Sequence, residues 1–287
     1  MSRVDVRKTH KLFIGGAFPR SESGRTYEVT DSKEQFLANM ALASRKDARD
    51  AVLAARSAVA KWSSATAYNR GQVLYRIAEV MEGRREQFIS EVSDSEGVSS
   101  RKAGAHVDAA IDRWVWYAGW ADKYAQVIGN TNPVAGPFFN FSVPEPTGVV
   151  AAVAPQDASV LGLVSVVAPI IVTGNAVIVM PSSSRPIPAI TLAECLATSD
   201  VPAGVVNILT GAPAEVMPWL AEHADVNALD LTGIVDEGVA ADLERSAAGT
   251  VKRVRGAAPH ADWQATPSLS RMRAFVEVKT VWHPMGV

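Results

Sequence analysis

The chain has 287 residues, enough for two small domains or for one large α/β unit with a sizeable core. Hydrophobic residues make up 48% and charged residues 20%, which is the balance of a folded globular protein. The 28 basic and 30 acidic residues give a formal charge of −2, and this excludes a broad basic surface for nucleic acid. A single cysteine excludes an intramolecular disulfide framework, and the spacing of the five histidines predicts no metal site.

The sequence predicts neither a secretory leader nor a membrane span. The first five residues, Met1 to Asp5, are too polar for the apolar core of a signal peptide. The longest apolar stretch, 160–179, is interrupted by polar residues, proline and glycine before it reaches the length of a span. We therefore expect a cytoplasmic protein without membrane contact.

The N-terminal part is predicted to contain short strands followed by long helices. Residues 11–20 are interpreted as a strand turned at Gly15 and Gly16, and a second extended piece follows at 24–30. Apolar periodicity predicts helices at 47–61, 68–83 and 102–127. Asp47 lies at the start of the first helix and is a candidate cap. The third helix carries aromatic residues at helical spacing, which we interpret as core packing rather than a ligand cage: Trp114, Trp116, Tyr117, Trp120 and Tyr124.

From residue 148 onward, buried strands alternate with helices. The run 148–154 is continuously apolar, which is typical of a strand buried on both faces of a parallel sheet. Further strands are predicted at 176–180, 205–210 and 226–231, and helices up to 173 and at 188–198, 214–222 and 237–247. The regular alternation predicts an α/β fold with a doubly wound parallel sheet.

The tail has a different pattern. Residues 256–268 are rich in alanine, proline and polar residues and are predicted to be a connector. Residues 275–282 alternate between apolar and polar side chains, which predicts a strand. A strand that follows a connector needs the edge of a sheet to join.

Several short segments, in this order along the chain, resemble the aldehyde dehydrogenase superfamily. They are 146–150, 154–155, 174–179, 181–182, 201–211, 223–226 and 231–233. Residues 13–16, the helix up to Trp62 and the Glu-Val-Lys-Thr-Val segment at 277–281 fit the same family. The resemblance covers roughly 11–250 and 268–283.

The resemblance implies a nicotinamide-binding Rossmann-like domain, a catalytic domain inserted before the last strand, and an arm that holds subunits together. Only the short segment 256–268 stands where the family has the catalytic domain. We therefore expect a truncated member without that domain, similar to the degenerate second module of two-module aldehyde dehydrogenases. The expected divisions are an N-terminal helical part of the Rossmann-like domain (1–124), an oligomerisation arm (125–147), the Rossmann-like core (148–255), a linker (256–268) and a C-terminal oligomerisation strand (269–287).

The family's reaction uses a cysteine nucleophile, an asparagine that stabilises the oxyanion, and a glutamate that activates water. The single cysteine, Cys195, lies in a segment that resembles a Rossmann helix, and we interpret it as a small buried hydrophobe. The asparagine would follow Pro155 by two residues, where Asp157 stands, and an ionised carboxylate opposes an oxyanion. Arg253 and Arg255 stand where the glutamate motif is expected. We therefore predict no catalytic residue.

The cofactor site implied by the resemblance is degenerate. It maps onto Val153, Pro155, Met180, Ser182, Gly211, Thr232 and Gly233. Met180 and Ser183 replace the family's lysine and glutamate at the adenosine ribose, and charged hydrogen bonds of that kind contribute about 1.5–3 kcal/mol each. Ile234 replaces the serine of the phosphate loop. We expect no required cofactor and only weak NAD binding, through backbone amides and a helix dipole.

The arm at 136–146 resembles the family's oligomerisation hairpin, which pairs with the last strand, here 274–283. In the family this ribbon joins the sheet of a neighbouring catalytic domain, and a full-length aldehyde dehydrogenase subunit would supply that sheet edge. We expect an oligomeric, non-catalytic homologue that acts as a structural or regulatory subunit of such an enzyme. The alternatives are an NAD(P)-dependent aldehyde dehydrogenase with residual activity and a free-standing dinucleotide sensor.

Overall fold

The structure is a computed structural model and describes residues 7–259 and 261–286. Met1 to Asp5, on which the prediction about a leader rests, lie outside the described residues. The first half contains β1 (Thr9–His10), β2 (Thr26–Thr30), β3 (Phe36–Ala41), α1 (Arg45–Ser64), α2 (Ala67–Glu82), α3 (Arg85–Glu96), α4 (Ser100–Trp120), α5 (Tyr124–Ile128), β4 (Asn130–Thr131) and β5 (Phe138–Pro146). The second half contains β6 (Val149–Val153), α6 (Leu161–Val172), β7 (Ala176–Met180), α7 (Ile187–Ala197), β8 (Val206–Ile208), α8 (Pro213–Glu222), β9 (Ala228–Asp230), α9 (Glu237–Ala248), β10 (Arg253–Arg255), α10 (Ser270–Arg273) and β11 (Val276–Pro284).

The centre of the fold is a parallel sheet with the strand order β10-β9-β6-β7-β8. Every residue of β6 and β7 is buried, because helices cover both faces of the sheet. Val150 and Ala152 belong to the core on the face covered by α2, α4 and α6, whereas Val149, Ala151 and Val153 belong to the core on the face of α1 and α8. The predicted α/β fold with a Rossmann-like, doubly wound parallel sheet is confirmed.

The structure corrects several of the predictions for the N-terminal part. The segment 11–20 is not a regular strand; it forms isolated bridges between Phe13 and Ile208 and between Ile14 and Ala17, around a tight turn. Gly15 and Gly16 occupy that turn with φ of 60° and 77°, which glycine adopts without strain. The predicted helix 102–127 ends at Trp120, and α5 follows after a turn. The elements β1, β3, α3 and β4 are additional.

The first long helix begins two residues earlier than predicted, and its N-cap is Ser44 rather than Asp47. The Ser44 hydroxyl accepts a hydrogen bond from the Asp47 amide at 3.3 Å, and the Asp47 carboxylate accepts one from the Ser44 amide at 2.8 Å. This reciprocal pair is a capping box. Asp47 also accepts a bond from the Ser21 hydroxyl at 2.7 Å, so it joins the N-terminal loop to α1.

The aromatic residues of α4 and α5 serve packing, as predicted. Trp114, Tyr117 and Tyr124 are buried in the core between these helices and the sheet. Trp116 and Trp120 pack against the border of the same core. None of the helices that the structure describes is long and apolar enough to cross a membrane.

A two-stranded ribbon stands apart from the central sheet. β5 and β11 pair antiparallel over nine residues each, from Val276 opposite Pro146 to Pro284 opposite Phe138. β4 pairs with the other side of β5, so β11 forms an edge of this small sheet. Val278 and Trp282 on β11 are 53% and 58% exposed, so the ribbon presents apolar side chains to solvent.

Candidate functional site

Six of the seven predicted cofactor positions lie together at the carboxyl edge of the central sheet, where open α/β sheets bind ligands. Val153 and Met180 end the neighbouring strands β6 and β7 and are register partners. Thr232 and Gly233 follow β9, which flanks β6 on its other side, and the Gly233 amide donates to the Val153 carbonyl at 2.9 Å. Pro155 and Ser182 follow β6 and β7. All six residues are buried.

Gly211 lies apart from the other six, because it follows β8, beyond β7 as seen from β6. Its φ of 132° and the proximity of Leu42 both demand glycine: a Cβ at this position would lie 2.9 Å from Leu42 Cδ1. Glycine at this position therefore allows the loop after β8 to pack closely against the N-terminal segment.

Hydrogen bonds within the protein span the position at which the resemblance predicts the adenosine ribose. The Gln156 side-chain oxygen accepts from the Ser183 amide and from the Ser183 hydroxyl, both at 3.0 Å. The Ser182 hydroxyl donates to the Gln156 carbonyl at 2.8 Å. Met180 is fully buried in the core that also contains Val153. The loops after β6 and β7 therefore bond to each other at this place.

The loop after β9, where the resemblance implies a phosphate loop, has its amides engaged within the protein. The Thr232 amide donates to the Asp230 carboxylate at 3.0 Å, and the Ile234 amide donates to the Leu231 carbonyl at 2.9 Å. The Gly233 amide is bonded to β6, and a Cβ on Gly233 would lie 1.9 Å from the Ala154 carbonyl oxygen. Glycine is required here for the close approach of the two loops, and the three amides already have acceptors.

Two helix N-termini near this edge carry carboxylates of the protein itself. Glu96 accepts from the Ser159 amide at 2.8 Å and from the Ser159 hydroxyl at 2.6 Å, just before α6 begins. His106 Nδ1 lies 3.0 Å from the other oxygen of Glu96, whose side chain is only 4% exposed. Asp236 caps α9 and Glu237 occupies its first turn. Helix N-termini attract anions, so these carboxylates compete with a dinucleotide phosphate.

The cysteine is unsuited to nucleophilic chemistry. Cys195 is fully buried in α7, and this burial raises the pKa of its thiol to about 11, although the Arg84 guanidinium acts in the opposite direction. At neutral pH the thiol is therefore protonated, and the thiolate is the nucleophilic form. The residues that the structure describes contain no group of three or more metal-ligating side chains.

The positions that the resemblance implies for the asparagine and the glutamate are occupied by Asp157, in the loop after β6, and by Arg253 and Arg255 on β10. The Asp157 carbonyl accepts from Arg185 at 2.7 Å, and the Asp157 side chain is exposed. Arg253 forms an ion pair with Glu277 on β11. Arg255 ends β10.

The described residues of the connector, 256–259 and 261–268, pack on the carboxyl edge, where the Ala258 amide donates to the Thr232 carbonyl at 3.2 Å. Arg113 on α4 is 7% exposed and donates to the carbonyls of Trp263 and Ala265 at 2.8 and 3.0 Å. Its other terminal nitrogen donates to the Ser165 hydroxyl on α6 at 2.8 Å. Trp263 is 8% exposed and lies under the Arg271 guanidinium, 4.9 Å from the ring centroid. The connector therefore has its own anchors in the fold.

Sequence reasoning missed the groups that close this edge, namely Gln156, Glu96 and Arg271. Their partners lie 27, 63 and 41 residues away along the chain. No local pattern in the sequence signals such contacts, because polar side chains at these positions are equally compatible with exposed loops and helices.

The comparisons with known proteins agree on one family. The family model described as "Aldehyde dehydrogenase family" matches residues 18–256. Cytosolic 10-formyltetrahydrofolate dehydrogenase from Pongo abelii is 32% identical over 246 residues, which cover 83% of this chain and 27% of that protein. Aldehyde dehydrogenase, cytosolic 1 from Elephantulus edwardii is 31% identical over 261 residues, or 88% of this chain and 51% of that protein.

Solved structures give the same result. The NAD+ complex of an aldehyde dehydrogenase from Bacillus cereus superposes with a TM-score of 0.81 at 27% identity and covers 86% of this chain and 50% of that one. Betaine aldehyde dehydrogenase from Staphylococcus aureus, in complex with NAD+, has a TM-score of 0.80 at 25% identity and covers 85% and 49%. The chain thus spans about half the length of these proteins, or about a quarter of the 10-formyltetrahydrofolate dehydrogenase.

Proposed function

Because the chain belongs to the aldehyde dehydrogenase family, we propose that it is a non-catalytic member, a structural or regulatory subunit of a full-length aldehyde dehydrogenase. The observation that carries the proposal is the anchored connector. Residues 256–268 stand where the family has its catalytic domain, and Arg113 and Arg271 hold this segment against the sheet. In this proposal, the anchored segment takes the place of that domain.

The chemistry of the described residues supports a non-catalytic role. The thiol of Cys195 is buried and protonated at neutral pH, whereas attack on an aldehyde requires an accessible thiolate. Asp157 stands in place of the oxyanion asparagine, and Arg255 stands in the region of the catalytic glutamate. Each of these substitutions removes a different part of the reaction.

NAD is not required in this proposal. The ribose place is crossed by the Gln156–Ser183 bonds, and the Gly233 amide of the phosphate loop is bonded to β6. Glu96 and Asp236 add negative charge at two helix N-termini, where the phosphates of a dinucleotide would be repelled. The NAD+ complexes among the solved relatives are the reason to test binding directly.

The partner in this proposal binds the ribbon of β5 and β11. β11 forms the edge of its sheet and carries Val278 and Trp282, both more than half exposed. An apolar sheet edge of this kind is a template for another strand. In this proposal a full-length aldehyde dehydrogenase subunit offers the complementary sheet edge, and we place the protein in the cytoplasm with it.

The test is co-expression of the chain with full-length aldehyde dehydrogenases of its own organism, followed by affinity capture and size-exclusion chromatography. We expect a mixed oligomer that is lost in the double variant Val278→Glu/Trp282→Glu, because charge at the edge opposes strand addition. Val251→Glu is the matched control, since Val251 is 91% exposed and lies outside the ribbon. Persistent absence of a complex, or equal loss of the complex in the control, would contradict the proposed partner.

A further inference from the structure

Three arginines, which we call the arginine cluster, meet beneath the connector: Arg113, Arg255 and Arg271. Arg255 at the end of β10 is the register partner of Asp230 on β9. The Arg271 guanidinium lies 3.3 Å from the Asp230 carboxylate and stacks over the ring of Trp263. Arg113 donates to the Trp263 carbonyl. These contacts bring three positive charges to one corner of the sheet.

The acidic residues at this corner carry less charge than the three arginines of the cluster. The Asp230 side chain is 1% exposed and pairs with Arg271, whose side chain is 11% exposed. The other acid that influences the cluster, Asp262 on the connector, is exposed to water. Burial raises the pKa of the Tyr117 phenol to about 12, although the charges of all three arginines act in the opposite direction. One buried carboxylate therefore faces three guanidinium groups.

The same corner contains N–H groups without acceptors. The Nε groups of Arg113 and Arg255 and the indole Nε1 of Trp263 are buried, and none has a hydrogen-bond partner within residues 7–259 and 261–286. Buried N–H groups in folded proteins are almost always hydrogen-bonded. All three of these groups are donors, so a ligand that satisfies them must offer acceptors.

We propose that the arginine cluster binds a small oxyanion of the phosphate or carboxylate class beneath the connector. Guanidinium N–H groups form charge-assisted hydrogen bonds with the oxygens of such an anion, and these are stronger than bonds between neutral groups. Water would satisfy the donors but would leave the charge unbalanced. The proposal is independent of catalysis, of NAD and of the ribbon, because the cluster lies under the connector.

Arg255 provides the sharpest variant. The Asp230 carboxylate pairs with Arg271 and not with Arg255, and Arg255 Nε has no partner among the described residues. Arg255→Gln therefore removes a charge without breaking an ion pair of the fold, and the variant is expected to fold. Arg245→Gln is the control, since Arg245 is 75% exposed and lies on α9.

The experiment measures the Tm of the complete chain in Tris-chloride buffer, with added sodium phosphate or sodium acetate, at constant ionic strength. In chloride alone, we expect Arg255→Gln to be at least as stable as the unaltered chain, because it relieves repulsion within the cluster. Phosphate or acetate should raise the Tm of the unaltered chain and of Arg245→Gln equally, and should raise that of Arg255→Gln by less than half as much. Calorimetric titration should show affinity for the same anion at least tenfold weaker in Arg255→Gln.

A Tm response to phosphate alone, or to acetate alone, would assign the class of oxyanion. Two results would overturn the proposal. One is the absence of a Tm increase with either anion in the unaltered chain, and the other is an equal increase in all three proteins, which would indicate a general salt effect. Neither result would bear on the proposed subunit role.

Discussion

Replacing Arg113 with methionine tests whether the connector is an integral part of the fold. Arg113 is 7% exposed, and its guanidinium bonds the Ser165 hydroxyl and the carbonyls of Trp263 and Ala265. Bonds from a charged donor contribute about 1.5–3 kcal/mol each. Ser165 keeps its bond to the Leu161 carbonyl, and the exposed Ala265 regains water, so the uncompensated loss falls mainly on Trp263.

Burial of the Arg113 charge offsets part of the stability that these hydrogen bonds contribute, and burial also lowers the pKa of this guanidinium. We therefore expect Arg113→Met to reduce the free energy of unfolding by about 2–4 kcal/mol. Urea denaturation measures this loss, and chymotrypsin should cleave after Trp263 faster in the variant. Arg245→Met, at a site 75% exposed, should change stability by less than about 0.5 kcal/mol. Equal stability and equal cleavage of Arg113→Met and this control would refute the reasoning.

Three further predictions concern buried polar and charged groups. Glu96→Ala leaves the buried Ser159 amide and hydroxyl without their acceptor and should cost about 2–4 kcal/mol in urea denaturation, whereas Glu86→Ala, with a side chain 86% exposed, should cost almost nothing. Met180→Lys buries an ammonium, so it should destabilise the fold by about 4–7 kcal/mol and create no NAD binding in calorimetry, even when combined with Ser183→Glu. A stable double variant that binds NAD would show that the ribose place is open.

The third of these concerns pH. Burial and the Lys8 charge lower the pKa of His10 to about 4, so its imidazole is neutral in the fold and takes up a proton on unfolding at acidic pH. Above about pH 6.5 the imidazole is neutral in both the folded and the unfolded chain, so it does not reduce stability. As the pH falls towards 4, protonation of the unfolded chain lowers the free energy of unfolding by about 2 kcal/mol. Between pH 7 and pH 4.5, the free energy of unfolding should therefore fall less in His10→Gln than in the unaltered chain. Parallel pH profiles of the two proteins would contradict this assignment.

The sequence predicted those parts of the fold that depend on local pattern. β6 and β7 are short, continuously apolar runs, and full burial on both faces of a sheet requires that composition. α3 is highly charged, and its few buried apolar residues give a weak period, so it was missed. The preference of carboxylates for helix N-termini suggests Asp47 as the cap, but Ser44 is the N-cap and Asp47 completes the capping box.

The sequence alone predicts that the candidate site residues lie at one edge of the sheet, but it does not predict the hydrogen bonds that cross this edge. Val153, Met180 and Thr232 had to meet at one edge, because parallel strands end on the same side of the sheet. The bonds of Gln156 and Glu96 that occupy this edge join segments distant in sequence. Such bonds depend on tertiary packing, which single-residue preferences do not encode.

The measurement that most directly tests the non-catalytic role is aldehyde-dependent formation of NADH by the purified chain. It should be made across several aldehydes with a full-length aldehyde dehydrogenase as positive control, and repeated with Cys195→Ser. The buried, protonated thiol of Cys195 and the substituted family positions predict no turnover above background in either protein. Turnover by the unaltered chain that disappears in Cys195→Ser would contradict the account and would require Cys195 to act as a nucleophile.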